Sequence, residues 1–186
     1  MRKKFAVLLL LAAVIFAAGC VAEETAEKGD TVAAYYTLSL DDGTVYESNV
    51  GKAPLSFTVG AGQMISGFDA AVEGMKVGET KKVRLSPAEA YGEITDDMLQ
   101  TMPVSYFIEN IGRIPDYTNV ESARRVAEAK VSSGDVLQVT INTGSGYQRA
   151  YLKVLDADFE TVTYALVGSA LAGEYLTFEI TLDSIA

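Results

Sequence analysis

Leu176-Thr177-Phe178-Glu179-Ile180-Thr181-Leu182-Asp183 alternates without a break. Leu176, Phe178, Ile180 and Leu182 face one way, and Thr177, Glu179, Thr181 and Asp183 face the other. Successive side chains of an extended chain point to opposite faces, so this is a strand with one side in a core and one in water. No hairpin partner stands beside it, so it should pair with a strand distant in sequence. The same period returns from Thr31, where Val32, Ala34, Tyr36, Leu38 and Leu40 share a side. Asp41-Asp42-Gly43 makes a tight turn into a second strand over 44–48.

Leu55, Phe57 and Val59 give a third short strand before Gly60-Ala61-Gly62. Ile65, Phe68, Val72 and Met75 then recur at helical spacing, which predicts a short amphipathic helix over 66–74. After the turn at Val77-Gly78-Glu79, a fourth strand spans 82–85. Ser86-Pro87-Ala88-Glu89 reads as a helical-turn start.

Between this block and the final strand lies a long middle stretch. Residues 96–107 are mixed and contain Met102-Pro103. Thr118-Asn119-Val120-Glu121 has capping-box form, which predicts a helix to about residue 130. Strands are expected over 136–141, 147–155 and 159–167, the first two joined across Gly144-Ser145-Gly146. That is enough for a small β unit inserted into the first.

Composition narrows the chemistry. The 186 residues carry 15 Lys+Arg against 25 Asp+Glu, no His and one Cys, for a net charge of −10. Without His there is no Ser-His-Asp or Cys-His machinery and no His-ligated metal, and one Cys forms no disulfide within the chain. The acidic balance argues against nucleic acid, whose phosphates call for Lys and Arg. Carboxylate chemistry, binding, or catalysis by a shaped apolar surface remain.

Arg2, Lys3 and Lys4 precede an uncharged apolar run over 5–18, too short for a bilayer span of about 20 residues. This is the layout of a secretory signal peptide. It ends in Phe16-Ala17-Ala18-Gly19-Cys20, which resembles a prokaryotic lipobox, with Ala17 where Leu is usual. The resemblance implies loss of residues 1–19, acylation of Cys20, and an exported lipoprotein anchored on the extracytoplasmic side. An ordinary signal peptide followed by an unrelated Cys is the alternative. Residues 20–28 are small, polar and acidic and read as a tether.

Several motifs stand in a telling order: Asp42-Gly43-Thr44-Val45-Tyr46-Glu47-Ser48, Pro54 through Gly60, Gln63-Met64-Ile65-Ser66-Gly67-Phe68-Asp69, Glu73-Gly74-Met75, Val77-Gly78, and Ser86 through Gly92. Leu171-Ala172-Gly173 and the last strand complete the set. Together they resemble the FKBP-type peptidyl-prolyl cis-trans isomerases. The long gap from Tyr91-Gly92 to Leu171 resembles the SlyD-like branch, in which an insert-in-flap domain interrupts the loop over the active site. That branch usually carries Asp-x-Asn-His-Pro-Leu-Ala-Gly there; here only Leu171-Ala172-Gly173 remain of it. The branch's His-rich metal-binding tail has no counterpart, so no metal and no cofactor is expected.

The resemblance implies an α+β fold, an antiparallel sheet wrapped on a short helix over 29–95 and 168–186, with a β-rich insert-in-flap domain over 96–167. It implies Phe68 as the floor under a proline ring, where many relatives carry Trp. Tyr36, Tyr46, Phe178, Met64 and Ile65 would line the walls, with Leu55 and Leu171 at the rim. The Ile65 N–H and the Tyr91 hydroxyl would bond substrate carbonyls, and Glu47 would orient Tyr36 or act on the twisted carbonyl carbon. Proline-containing or unfolded polypeptides are the implied partners, with the protein a monomer touching the membrane only through its lipid. Position by position these aromatics also suit a plain sheet core, and a peptide-binding chaperone module with a vestigial pocket is the rival reading. Three Tyr converging with Glu47 and Phe68 are more than core packing requires, because a buried phenol needs a partner.

Overall fold

A computed structural model of the protein describes residues 24–111 and 131–186. The signal peptide expected over 1–19, the lipid attachment expected at Cys20 and the helix expected after Thr118 lie outside the described residues.

The first sheet is built around the final strand. β1 (Thr31–Leu40), β2 (Val45–Ser48), β3 (Leu55–Thr58), β4 (Thr80–Leu85) and β9 (Leu176–Ile185) form it, in the order β2-β1-β9-β4, with β3 also paired to β1. β9 is therefore central, as its distant pairing required. Leu176 stands in register with Leu40 on one side and Leu85 on the other, and Phe178 with Leu38 and Val83. All pairings are antiparallel.

One short helix, α1 (Ser66–Val72), lies on this sheet. It buries Gly67, Phe68, Ala71 and Val72, a one-sided stripe at helical spacing. They meet Val32, Ala34, Leu38, Leu176, Phe178, Ile180 and Leu182 in one apolar core. Each of these strand residues comes from the inward set of its alternation.

β1 has a gap on its outer edge. Residues 31–34 pair with β3 and residues 37–39 with β2, so the stretch at Tyr35 and Tyr36 has no partner strand there. Asn49 fills it. Its Oδ1 accepts from the Tyr36 N–H at 2.7 Å, its Nδ2 donates to the Ala34 carbonyl at 3.1 Å, and its own N–H donates to the Tyr36 carbonyl at 3.2 Å. One amide side chain thus satisfies backbone groups that a strand would otherwise serve.

Residues 96–167 supply a second sheet, in the order β5-β8-β7-β6: β5 (Leu99–Pro103), β8 (Thr161–Val167), β7 (Tyr147–Ala157) and β6 (Val136–Asn142). The last three fall where the alternation placed them. β5 and the helix α2 (Val104–Ile111) occupy the stretch the sequence reading left without an element. One face of this sheet packs Leu137, Val139, Ala150, Leu152, Val154 and Val162 against Phe107 of α2.

The expected tether over 20–28 is corrected from Glu24 onward. Thr25 forms a β-bridge with Lys76, the Ala26 N–H donates to the Met75 carbonyl at 2.8 Å, and the Gly74 N–H donates to the Ala26 carbonyl at 2.7 Å. Ala26 is buried in the first core. Composition marked this stretch as polar, but one small apolar side chain and backbone pairing suffice to hold it down.

Candidate active site

Phe68 projects from the first turn of α1 toward the sheet, where β1 and β9 present Tyr36 and Phe178. The Phe68 ring stands edge-on to Phe178 with centroids 5.3 Å apart at 74°, and to Tyr36 at 5.8 Å and 81°. Phe57 closes the cluster behind it at 5.7 Å. Edge-to-face packing of this kind adds about 0.5–1.5 kcal/mol per pair beyond area burial. It also fixes ring orientation.

A hollow of about 260 Å³ opens over these rings. Tyr36, Glu47, Leu55, Met64, Ile65, Phe68, Tyr91 and Phe178 line it, all of them expected from the sequence. Leu38 and Gln63 line it as well. Leu38 could have been found, since it shares the inward face of β1 with Tyr36. Gln63 opens the Gln63–Asp69 motif without a role expected for it there; its Oε1 accepts from the Thr58 N–H at 2.8 Å.

Two expected residues stand elsewhere. Leu171 is buried in the main core and is not at the rim. Tyr46 is half exposed on β2, where alternation points it away from the side that carries Glu47. It still acts on the site electrostatically, through Tyr91.

The polar groups are arranged on one wall. Burial first, and then the charge and hydrogen-bonding pull of the neighbouring Glu47 carboxylate, hold the Tyr36 phenol above the ordinary value of 10.0. Burial does the same to Tyr91, helped by Glu47 and then by Tyr46. Both phenols therefore stay protonated at neutral pH and can donate. Ile65 immediately precedes α1, and among the described residues its N–H donates to no protein group. Ile65 also lines the hollow.

The sheet carries a larger depression of about 360 Å³ between Thr37, Ser39, Lys82, Thr177 and Glu179. These residues belong to the outward set, so it lies on the opposite, polar face. It lacks the aromatic enclosure that would desolvate a ligand. Among the described residues no group of three His, Cys, Asp or Glu is placed to hold a metal ion.

A mostly apolar aromatic cup with phenol donors along one wall suits a ring-shaped apolar group flanked by carbonyls. Comparison with known proteins agrees. The family model for FKBP-type peptidyl-prolyl cis-trans isomerases matches residues 22–183. The chain belongs to this family. Among curated FKBP-type relatives, FK506-binding protein 2 of Yarrowia lipolytica is 45% identical over 71 residues, covering 38% of this chain and 49% of that protein. A probable FKBP-type 16 kDa peptidyl-prolyl cis-trans isomerase of Pseudomonas fluorescens is 32% identical over 87 residues, 47% of this chain and 58% of that protein. SlyD of Aeromonas hydrophila is 38% identical over 72 residues, 39% of this chain and 34% of that protein. The matches thus span about half or less of most of these relatives, and an FKBP-type core is what they share with this chain.

Proposed function

We propose that this protein is a peptidyl-prolyl cis-trans isomerase and folding helper. The observation that carries the reading is the convergence of Tyr36, Phe68, Tyr91 and Phe178 on one hollow, with Glu47 beside the two phenols. An Xaa-Pro bond turns over a barrier of about 18–20 kcal/mol because the planar amide is resonance-stabilised. The site has to favour the twisted amide over both planar forms. Seating the prolyl ring on Phe68 strips water from the imide, and water's hydrogen bonds favour the polar planar form. The Tyr91 hydroxyl and the Ile65 N–H hold the flanking carbonyls while the bond turns. Glu47 orients Tyr36. No covalent step and no cofactor enters this reading.

Proline-containing or unfolded polypeptides are the substrates. The inserted unit of residues 96–167 holds such chains on exposed apolar side chains, Tyr106 of α2, Tyr147 of β7 and Phe159 of the turn after it, and raises their local concentration at the hollow. The protein works as a monomer outside the cytoplasm, anchored through a lipid on Cys20. Full-length protein should accelerate isomerisation of a short Xaa-Pro peptide, and Tyr91→Phe should slow it several-fold. Equal rates with and without protein would sink the catalytic reading and leave a peptide-binding module. Cys20→Ser should abolish incorporation of labelled fatty acid; undiminished labelling would refute the anchor.

A further inference from the structure

Among the described residues Lys153 is a charged side chain in a buried position, 9% exposed. It sits on β7, in register with Val136 of β6 and Ala165 of β8, on the face opposite Leu152 and Val154. A buried ammonium is strongly unfavourable without partners. Its Nζ donates to the Ala172 carbonyl and to Glu174 Oε1, both at 2.6 Å. Both acceptors lie on the segment by which the chain returns from the second sheet to β9. The bond therefore joins the two sheets rather than stabilising either alone.

The apolar contact around it is small. Ala165, Val167 and Ala172 are buried there, with Ile94, Met98 and Tyr151 packed against them. Two units joined over so little apolar area are free to move unless something directional holds them. Two short charge-assisted bonds from one ammonium are directional.

The carbonyl that Lys153 grips is also close in connection to the hollow. Leu171, just before it, is anchored in the main core. Gly173, just after it, donates its N–H to the Gly92 carbonyl at 2.8 Å, and the Gly92 N–H donates to the Pro87 carbonyl at 2.8 Å. A Cβ on Gly173 would lie 3.1 Å from Ile94 Cδ1, so the two crossing segments touch closely there. Tyr91, which lines the hollow, directly precedes Gly92. The return loop also lacks the Asn-His-Pro element of the SlyD-like branch. Besides Lys153, the Leu171 N–H to Ser169 Oγ bond at 3.1 Å braces it.

We propose that Lys153 is a positioning residue: by gripping Ala172 and Glu174 it locks the second sheet onto the return loop and holds the Tyr91 wall of the hollow in its working place. The catalytic part of this rests on the isomerase reading; the lock itself does not.

The test uses the full-length protein with Lys153→Met, Lys153→Arg and Glu174→Gln. Amide hydrogen exchange at Gly173 is read against Ile180 in the middle of β9, alongside kcat/KM on an Xaa-Pro peptide. In Lys153→Met, Gly173 should exchange about tenfold faster or more while Ile180 keeps its protection, which separates local release from a global loss of stability. The peptide kcat/KM should fall roughly three- to tenfold as Tyr91 loosens, and Lys153→Arg should restore both readings. If Lys153→Met does not fold, Glu174→Gln carries the exchange test, because Glu174 is half exposed and its loss is tolerable. Unchanged Gly173 exchange in the folded variants overturns the lock. Faster exchange with an unchanged peptide rate overturns the role at Tyr91. If the wild type accelerates nothing, the isomerase reading fails by itself, and Gly173 exchange still decides the lock.

Discussion

Asn49 stands in for a missing strand beside Tyr36: its Oδ1 takes the Tyr36 N–H at 2.7 Å in the stretch of β1 that lies between β2 and β3. The same side chain holds the Ala34 carbonyl. Because Tyr36 forms one wall of the hollow, this edge repair also sets the position of a site residue. Asn49→Ala leaves a partly buried donor and acceptor without partners, which should lower stability by about 1–3 kcal/mol. Denaturant titration should show the loss, and peptide isomerisation should weaken with it. Unchanged stability would mean that water replaces the amide without penalty.

Gly67, in α1 one residue before Phe68, should not tolerate a methyl group. A Cβ there would meet Leu85 Cδ2 at 2.6 Å and Glu89 Cβ at 3.1 Å. Gly→Ala in a helix ordinarily gains about 0.5–1 kcal/mol. Overpacking a buried contact costs about 1–3 kcal/mol, so the clash should win. Gly67→Ala should melt lower than the wild type and slow catalysis by shifting Phe68. A higher melting temperature would show that Leu85 moves aside freely.

The pH profile should be flat through neutrality and fall on the alkaline side. There is no His to titrate, and the Tyr36 and Tyr91 phenols are held above the ordinary value of 10.0. A group whose pKa is raised on folding contributes stability in full below its unfolded value, and that contribution is lost as pH rises through the folded one. Stability and rate should therefore be level up to about pH 9 and decline above about pH 10. Ultraviolet phenolate titration of Tyr36→Phe and Tyr91→Phe should each lack one late-titrating group. A rate inflection near pH 7 would contradict the assignment.

Excising residues 96–167 should leave a folded first unit. Its core draws on residues 26–90 and 171–185, and the Gly173 N–H to Gly92 carbonyl bond at 2.8 Å ties together the two segments that lead to the cut. A short Gly/Ser linker should close the gap, since loop-closure entropy grows only slowly with length. The shortened protein, which lacks Lys153, should melt cooperatively, isomerise the peptide at a rate lowered about as far as in Lys153→Met, and lose suppression of aggregation of an unfolded client. Retained suppression would move the client-binding surface to the first unit.

Much of this architecture was legible because buried strands repeat every two residues and α1 repeats at helical spacing. β9 announced its two faces and the need for a distant partner, and Tyr36 and Phe178 of the hollow fell on the inward faces of β1 and β9, with Phe68 on the inward stripe of α1. β5 escaped because Leu99-Gln100-Thr101-Met102-Pro103 is mostly exposed at a sheet edge, where burial imposes no alternation. Val104 and Phe107 did carry helical spacing, but the pattern began at a Pro and was too short to stand out. Ala26 and Lys153 were invisible for another reason. Their burial depends on chain segments far away, and neither residue type suggests it locally.

The most direct measurement is isomerisation of a short Xaa-Pro peptide by the full-length protein beside Phe68→Ala and Phe68→Leu. Phe68→Ala removes the floor and about 3–5 kcal/mol of packing, so Phe68→Leu guards against simple unfolding. The wild type should turn the bond well above the spontaneous rate, Phe68→Leu should lose part of that acceleration, and Phe68→Ala should lose nearly all of it. A folded wild type that leaves the spontaneous rate unchanged, or a Phe68→Ala variant as fast as the wild type, would contradict the isomerase reading.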